Sequence, residues 1–122
     1  MAPLRVLLVG CGNMGRSHAR AYHQLPGFAI CGLVSRGDSA RELSRELGGE
    51  LPTFADFAHA LAATRPDVVS INTFPDTHAA FATAALEAGA HVFCEKPLAA
   101  TVAQAEAIVA LARQRRRQLV VG

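Results

Sequence analysis

The chain alternates between short apolar runs and segments whose apolar residues recur at helical spacing. Leu4–Val9 (LRVLLV) reads as a strand, and a helix is expected over Asn13–Gln24, stopping before Pro26-Gly27. Phe28–Val34 (FAICGLV) reads as the second strand. Leu43 and Leu47 share a helical face in Ser39–Leu47, and Gly48-Gly49 closes that helix. Leu51–Phe54 is at most a short strand, because Pro52 interrupts it. Asp56 is placed to cap a helix reaching about Ala63, and Pro66 separates it from a strand over Val68–Asn72. An Ala-rich helix follows over Thr77–Ala88, with Gly89 as its stop, then a strand over Ala90–Cys94. Thr101 caps the last helix, with Gln104 at the capping-box position, and it runs to about Arg116. Leu119–Val121 starts another strand. Strands apolar on both faces and separated by helices imply a parallel sheet covered on both sides. The expected class is therefore α/β in three layers, αβα, as a single domain.

A length of 122 residues suits one domain and leaves no room for a second full lobe. Composition adds two skews: 24 residues are Ala, and eleven Arg stand against one Lys, Lys96. Alanine favours helix and close packing more than hydrophobic bulk. The net charge of +2, with 6% aromatics and no Trp, argues against a nucleic-acid partner. Arg113, Arg115, Arg116 and Arg117 are best placed at a helix end, where cations complement the macrodipole. Cys11, Cys31 and Cys94 lack metal-ligand spacing and sit in or beside apolar runs, so they read as small buried hydrophobes in a reducing compartment. No metal site is expected. The opening MAPLRVLLVGCG turns into a glycine loop too early for a secretory signal, and no run has the length of a membrane span. The expectation is a cytoplasmic protein without a membrane partner.

Gly10-Cys11-Gly12-Asn13-Met14-Gly15 has the form GxGxxG. It follows a predicted strand and opens a predicted helix, the context that gives the motif its meaning. Gly10 makes the tight turn, Gly12 lets a pyrophosphate approach the backbone, and Gly15 permits close helix–strand packing. The helix start, with Asn13 and Met14, then offers free N–H groups to phosphates. A doubly wound, Rossmann-type sheet binding a dinucleotide follows. The end of the second strand bears on which one. NAD sites usually carry an Asp or Glu there, about 20 residues past the loop, for the ribose 2′-hydroxyl. Here the strand ends Val34-Ser35-Arg36, and Asp38 lies beyond Gly37. A Ser hydroxyl and an Arg guanidinium suit a 2′-phosphate, so NADP is favoured over NAD.

Two more segments fall at strand ends, where open α/β sheets hold ligands: Asn72-Thr73-Phe74-Pro75-Asp76-Thr77-His78 and Cys94-Glu95-Lys96-Pro97-Leu98. Together with GCGNMG and HARAY they resemble the Gfo/Idh/MocA oxidoreductases, the glucose–fructose oxidoreductase and inositol 2-dehydrogenase group. The likeness is to the N-terminal nucleotide-binding domain and runs from Arg5 to Val121, with AGAHVFCEKPLA (88–99) its most specific stretch. It implies that Lys96 lies beside nicotinamide and substrate as the catalytic residue, that Glu95 contacts the nicotinamide-side ribose, and that Pro97 follows a cis peptide bond. It also implies that Thr73, Phe74, Pro75 and His78 lie along the cofactor. Ser35-Arg36 departs from the family's usual acidic residue and resembles the NADP-using members.

The composition agrees about Lys96, since whatever bias replaced Lys by Arg spared this position, and only Lys can give up a proton. His18 and His23 read as packing or surface residues, His59 as a surface residue and His91 as structural. The implied reaction is hydride transfer between nicotinamide and a hydroxyl- or carbonyl-bearing carbon of a sugar, cyclitol or related polyol. The family's second domain, a substrate and oligomerisation lobe, is not among these residues, so the chain is expected to bind cofactor but turn over little by itself. With that lobe the protein is expected to form a homo-oligomer. A non-catalytic dinucleotide-binding sensor is the alternative, which leaves Glu95-Lys96-Pro97 unexplained. A methyltransferase using S-adenosylmethionine fits less well, because it also wants the missing acid after the second strand.

Overall fold

The computed structural model describes residues 2–122. Six strands and five helices alternate: β1 (Leu4–Val9), α1 (Asn13–Gln24), β2 (Phe28–Val34), α2 (Ser39–Glu46), β3 (Thr53–Phe54), α3 (Phe57–Thr64), β4 (Val68–Ile71), α4 (Pro75–Glu87), β5 (His91–Cys94), α5 (Val102–Arg115) and β6 (Leu119–Val121). The strands form one sheet in the order β3-β2-β1-β4-β5-β6, with every pair parallel. That is the doubly wound order, and the chain reverses its winding between β1 and β4.

Two boundaries differ from the sequence expectation in ways that matter. Helix α4 begins at Pro75 rather than Thr77. Proline suits the first helical position, since the N–H it lacks would have no helical partner there. Strand β3 keeps only Thr53 and Phe54, because Pro52 has no N–H for a ladder; its carbonyl still accepts from Leu33 N at 2.9 Å.

Alternation along β1 divides the core. Leu7 and Val9 face α3, α4 and α5, in a cluster with Phe57, Ala82, Ala85, Leu86, Ile108 and Ala112. Leu8 faces α1 and α2, with Ala19, Ala40 and Leu43. This two-sided burial is why the strands read as continuous apolar runs. Ala82 and Ala85 of α4 are packing residues, both fully buried, whereas Ala80 is exposed. In β2 the register shifts opposite Val6 and Leu7, leaving Cys31 as an extra residue. At the far end of α5, Arg113 and Arg115 lie in the last turn, as the macrodipole favours. Arg117 instead folds back and donates from Nε to Gly89 O at 2.7 Å.

Candidate cofactor site

The glycine loop sits at the reversal point. Gly10 has φ +88, and a Cβ there would come within 2.7 Å of the Asn72 carbonyl. Both facts demand glycine. A Cβ on Gly15 would overlap the Gly10 carbonyl oxygen. Gly12 differs: a Cβ there would meet no protein atom within 4 Å. The protein's own packing therefore explains two of the three glycines, and the third faces open space. Beside them, Cys11 donates to Val34 O at 3.5 Å, and burial pushes its thiol up to about 11.

The helix ends sort in the same way. Side chains satisfy first-turn N–H groups in three helices: Ser35 Oγ accepts from Ala40 N in α2, Asp56 from His59 N in α3, and Thr101 from Gln104 N in α5. Among the described residues, no side chain caps α1 or α4. Helix α1 follows β1 at the reversal point and has no acid in its first turn, so its partial positive end is left for an anion; α4, across the reversal point, carries Pro75 and Asp76 there, and Thr77 N bonds to Phe74 O at 3.0 Å. A cleft of about 740 Å³ opens there. Gly10, Gly12, Asn13, Met14, Ser35, Arg36, Asn72, Thr73 and Phe74 form part of its wall, with Ala55–Ala58 closing the β3 side.

At the end of β2, Ser35 and Arg36 have different standing. The Ser35 hydroxyl already donates to Gly37 O at 3.1 Å and accepts from Ala40 N at 2.9 Å, so it secures α2. Arg36 is exposed on the cleft wall. Asp38, the nearest acid, pairs with Arg41.

The residues after β4 and β5 meet only in part. Thr77 Oγ1 donates to Phe74 O at 2.7 Å, so Thr73 Oγ1 is the donor in its 2.6 Å bond to Thr77. Phe74 is 71% exposed at the cleft mouth, and Pro75 opens α4. His78 does not lie along the cleft as expected. It lies in the first turn of α4 and is 1% exposed. Its ring lies between two loop carbonyls, with Nδ1 2.6 Å from Pro97 O and Nε2 2.9 Å from Thr73 O, and each neutral tautomer donates to one of them. The Lys96–Pro97 bond is cis. Lys96 and Pro97 are exposed and Glu95 partly so, and none of the three lines the cleft. Cys94 beneath them is fully buried, which pushes its thiol up to about 12.

Residues 4–122 match the family model described as oxidoreductase family, NAD-binding Rossmann fold, Gfo/Idh/MocA. The chain belongs to the Gfo/Idh/MocA family. It is 33% identical over its whole length to UDP-N-acetylglucosamine 3-dehydrogenase of Acidithiobacillus ferrooxidans, covering 37% of that protein. It is 39% identical over 119 residues to inositol 2-dehydrogenase 1 of Saccharopolyspora erythraea, covering 96% of this chain and 35% of the relative. Among solved structures, GenD2 from gentamicin A biosynthesis in complex with NAD superposes with a TM-score of 0.93 at 28% identity, over all of this chain and 35% of that one. The chain thus spans little more than a third of the relatives it matches, and corresponds to their NAD-binding domain.

The residues present fit the dinucleotide of a Gfo/Idh/MocA domain on this structure's own terms. Gly12 leaves a space that no protein atom fills, beneath an uncapped helix. Nearby, Asn72 Oδ1 is buried with no hydrogen-bond partner among the described residues, while its Nδ2 donates to Ser70 O and Ser70 Oγ. A buried acceptor without a donor is costly in a protein alone. Sequence reasoning passed over Asn72 as a site residue, although it opens the quoted motif. It reads His18 as a packing or surface residue; the ring does pack on Phe93, and it also stands at the Glu95 carboxylate, with Nε2 3.1 Å from Oε1. The position of His18 one turn after Gly15 was the available signal.

Proposed function

We propose that this domain holds NADP, in preference to NAD, for an oxidoreductase acting on a hydroxyl- or carbonyl-bearing carbon of a sugar, cyclitol or related polyol. The cleft at the reversal point carries the reading, with Gly12 open beneath the uncapped start of α1. Backbone N–H groups at Asn13 and Met14 hold the pyrophosphate. Arg36, exposed on the cleft wall where a carboxylate would otherwise stand, supports a 2′-phosphate through its planar fork of donors. When bound, the nicotinamide supplies the hydride chemistry. Lys96 holds or moves the proton at the substrate oxygen, and Glu95 orders the nicotinamide side. The names of the relatives, dehydrogenases of inositol and of a nucleotide sugar, support the substrate class. Turnover on this reading needs a substrate lobe besides these residues. A cytoplasmic location and a homo-oligomer formed through that lobe complete it.

Titrating the chain with NADPH and NADH, followed by fluorescence or calorimetry, tests the proposal. NADPH binds about tenfold more tightly, and Arg36→Ala removes that preference while leaving NADH binding unchanged. Equal affinities in the parent chain would refute the NADP assignment. A preference that survives Arg36→Ala would refute the role given to Arg36.

A further inference from the structure

His18 belongs to α1, yet its side chain reaches the end of β5. Nε2 lies 3.1 Å from Glu95 Oε1, and the ring packs on Phe93 with centroids 4.9 Å apart. The Glu95 side chain is only 15% exposed. A carboxylate so far withdrawn from water needs a donor. Among the described residues, His18 is the one side chain that supplies it. The ring is itself fixed on one face by Phe93, so the pair is a built contact between the helix that opens the glycine loop and the strand that ends in Glu95-Lys96-Pro97.

Sheet order gives the contact its direction. The adenosine side of the cleft lies at β2 and β3, where Arg36 and Ala55–Ala58 stand. Phosphates sit at the loop after β1. The other half of a dinucleotide must extend the opposite way, over β4 and β5, and β5 is two strand spacings or ~10 Å from β1. That brings it to Glu95. We infer that His18 is a positioning residue for the nicotinamide half of the cofactor, acting through Glu95, whose carboxylate it holds in place. The inference rests on the dinucleotide reading above.

The measurement compares the whole dinucleotide with its adenosine half alone: NADPH against 2′,5′-ADP, and NADH against ADP. His18→Leu, which removes the donor, weakens the dinucleotides about tenfold and leaves the half-ligands within twofold. His18→Gln, whose amide can still donate to Glu95, recovers most of the loss. Glu95→Gln serves if His18→Leu fails to fold, and it too weakens only the dinucleotides. Unchanged dinucleotide affinity in His18→Leu would overturn the inference. So would equal losses for whole and half ligands, which mark a structural role, or a His18→Gln variant as weak as His18→Leu. If the parent binds neither dinucleotide, the cofactor reading falls as well. That outcome is distinct from the others, because in them the parent binds and only the variant pattern fails.

Discussion

The glycine loop after β1 and the Glu95-Lys96-Pro97 corner after β5 are held in different ways. In the loop, shape comes from side chains that are missing: Gly10 and Gly15 let backbone lie against backbone, at Asn72 and at Gly10 itself. In the corner, shape comes from side chains that arrive from elsewhere. His18 reaches Glu95 from 77 positions away, and His78 reaches Pro97 from 19 positions away. The loop is therefore rigid by exclusion, and a single methyl group can break it. The corner is held by polar contacts, each removable without a clash, and it leaves Lys96 exposed. A phosphate grip demands a fixed backbone, whereas proton handling demands a free side chain, so the contrast follows the chemistry proposed for each.

Gly15→Ala tests the exclusion most severely. The new methyl overlaps the Gly10 carbonyl oxygen, and backbone on both sides cannot yield as a flexible side chain would. A loss of about 3 kcal/mol or more in urea denaturation is expected, together with loss of cofactor binding. A stable Gly15→Ala protein would break the comparison.

Gly12→Ala sharpens it. Gly12 has φ −78, which alanine adopts freely, and the methyl meets no protein atom. Stability should change by less than about 1 kcal/mol, while dinucleotide affinity falls about tenfold or more. Calorimetry of folding and of binding on one sample separates the two. If both fell together, Gly12 would be a folding residue like its neighbours.

The smallest expected effect concerns the two thiols, one in each region. Cys11 is pushed up to about 11 and Cys94 to about 12, from an ordinary value of 9.0, both mainly by burial. The folded chain thus keeps protons that the unfolded chain loses. The stability this represents is whole well below pH 9 and fades as the pH rises toward the folded values. Urea midpoints should therefore fall slightly between pH 8 and pH 9, less steeply in Cys94→Ala. At neutral pH, thiol reagents should label Cys11 and Cys94 only after the chain unfolds. Rapid labelling of native Cys11 would show that the loop opens more readily than its packing implies.

How much of this could be read in advance follows from the same contrast. The glycine loop was legible because its information is local: three glycines at fixed spacing, a strand before and a helix after. The capping roles of Asp56 and Thr101 were legible for the same reason. Ser35 was placed at the cleft, and it is there, but its hydroxyl is engaged in holding α2, a bond that composition gives no hint of. The start of α4 falls two residues before the expected Thr77, because Pro75 suits the first helical position. His78 is helical on either bound, and its burial follows from the Thr73 and Pro97 carbonyls that the fold brings beside it. The spacing of His18 from Gly15 marks the helix face it shares, but not the partner on β5 that the sheet brings to it from 77 positions away.

Alternating apolar runs and helical spacings determined the elements, the parallel sheet and its three layers, since burial on both faces leaves a continuous signature in the strands. The glycine spacing determined where phosphates could approach. Only the tertiary structure decided which polar groups are occupied and which are open. Ser35 and His78 bond within the protein; Gly12 faces open space, no side chain caps α1, and Asn72 Oδ1 is left without a partner among the described residues. Hydrogen bonding between distant segments depends on where the sheet brings them, and periodicity along the chain carries no record of that.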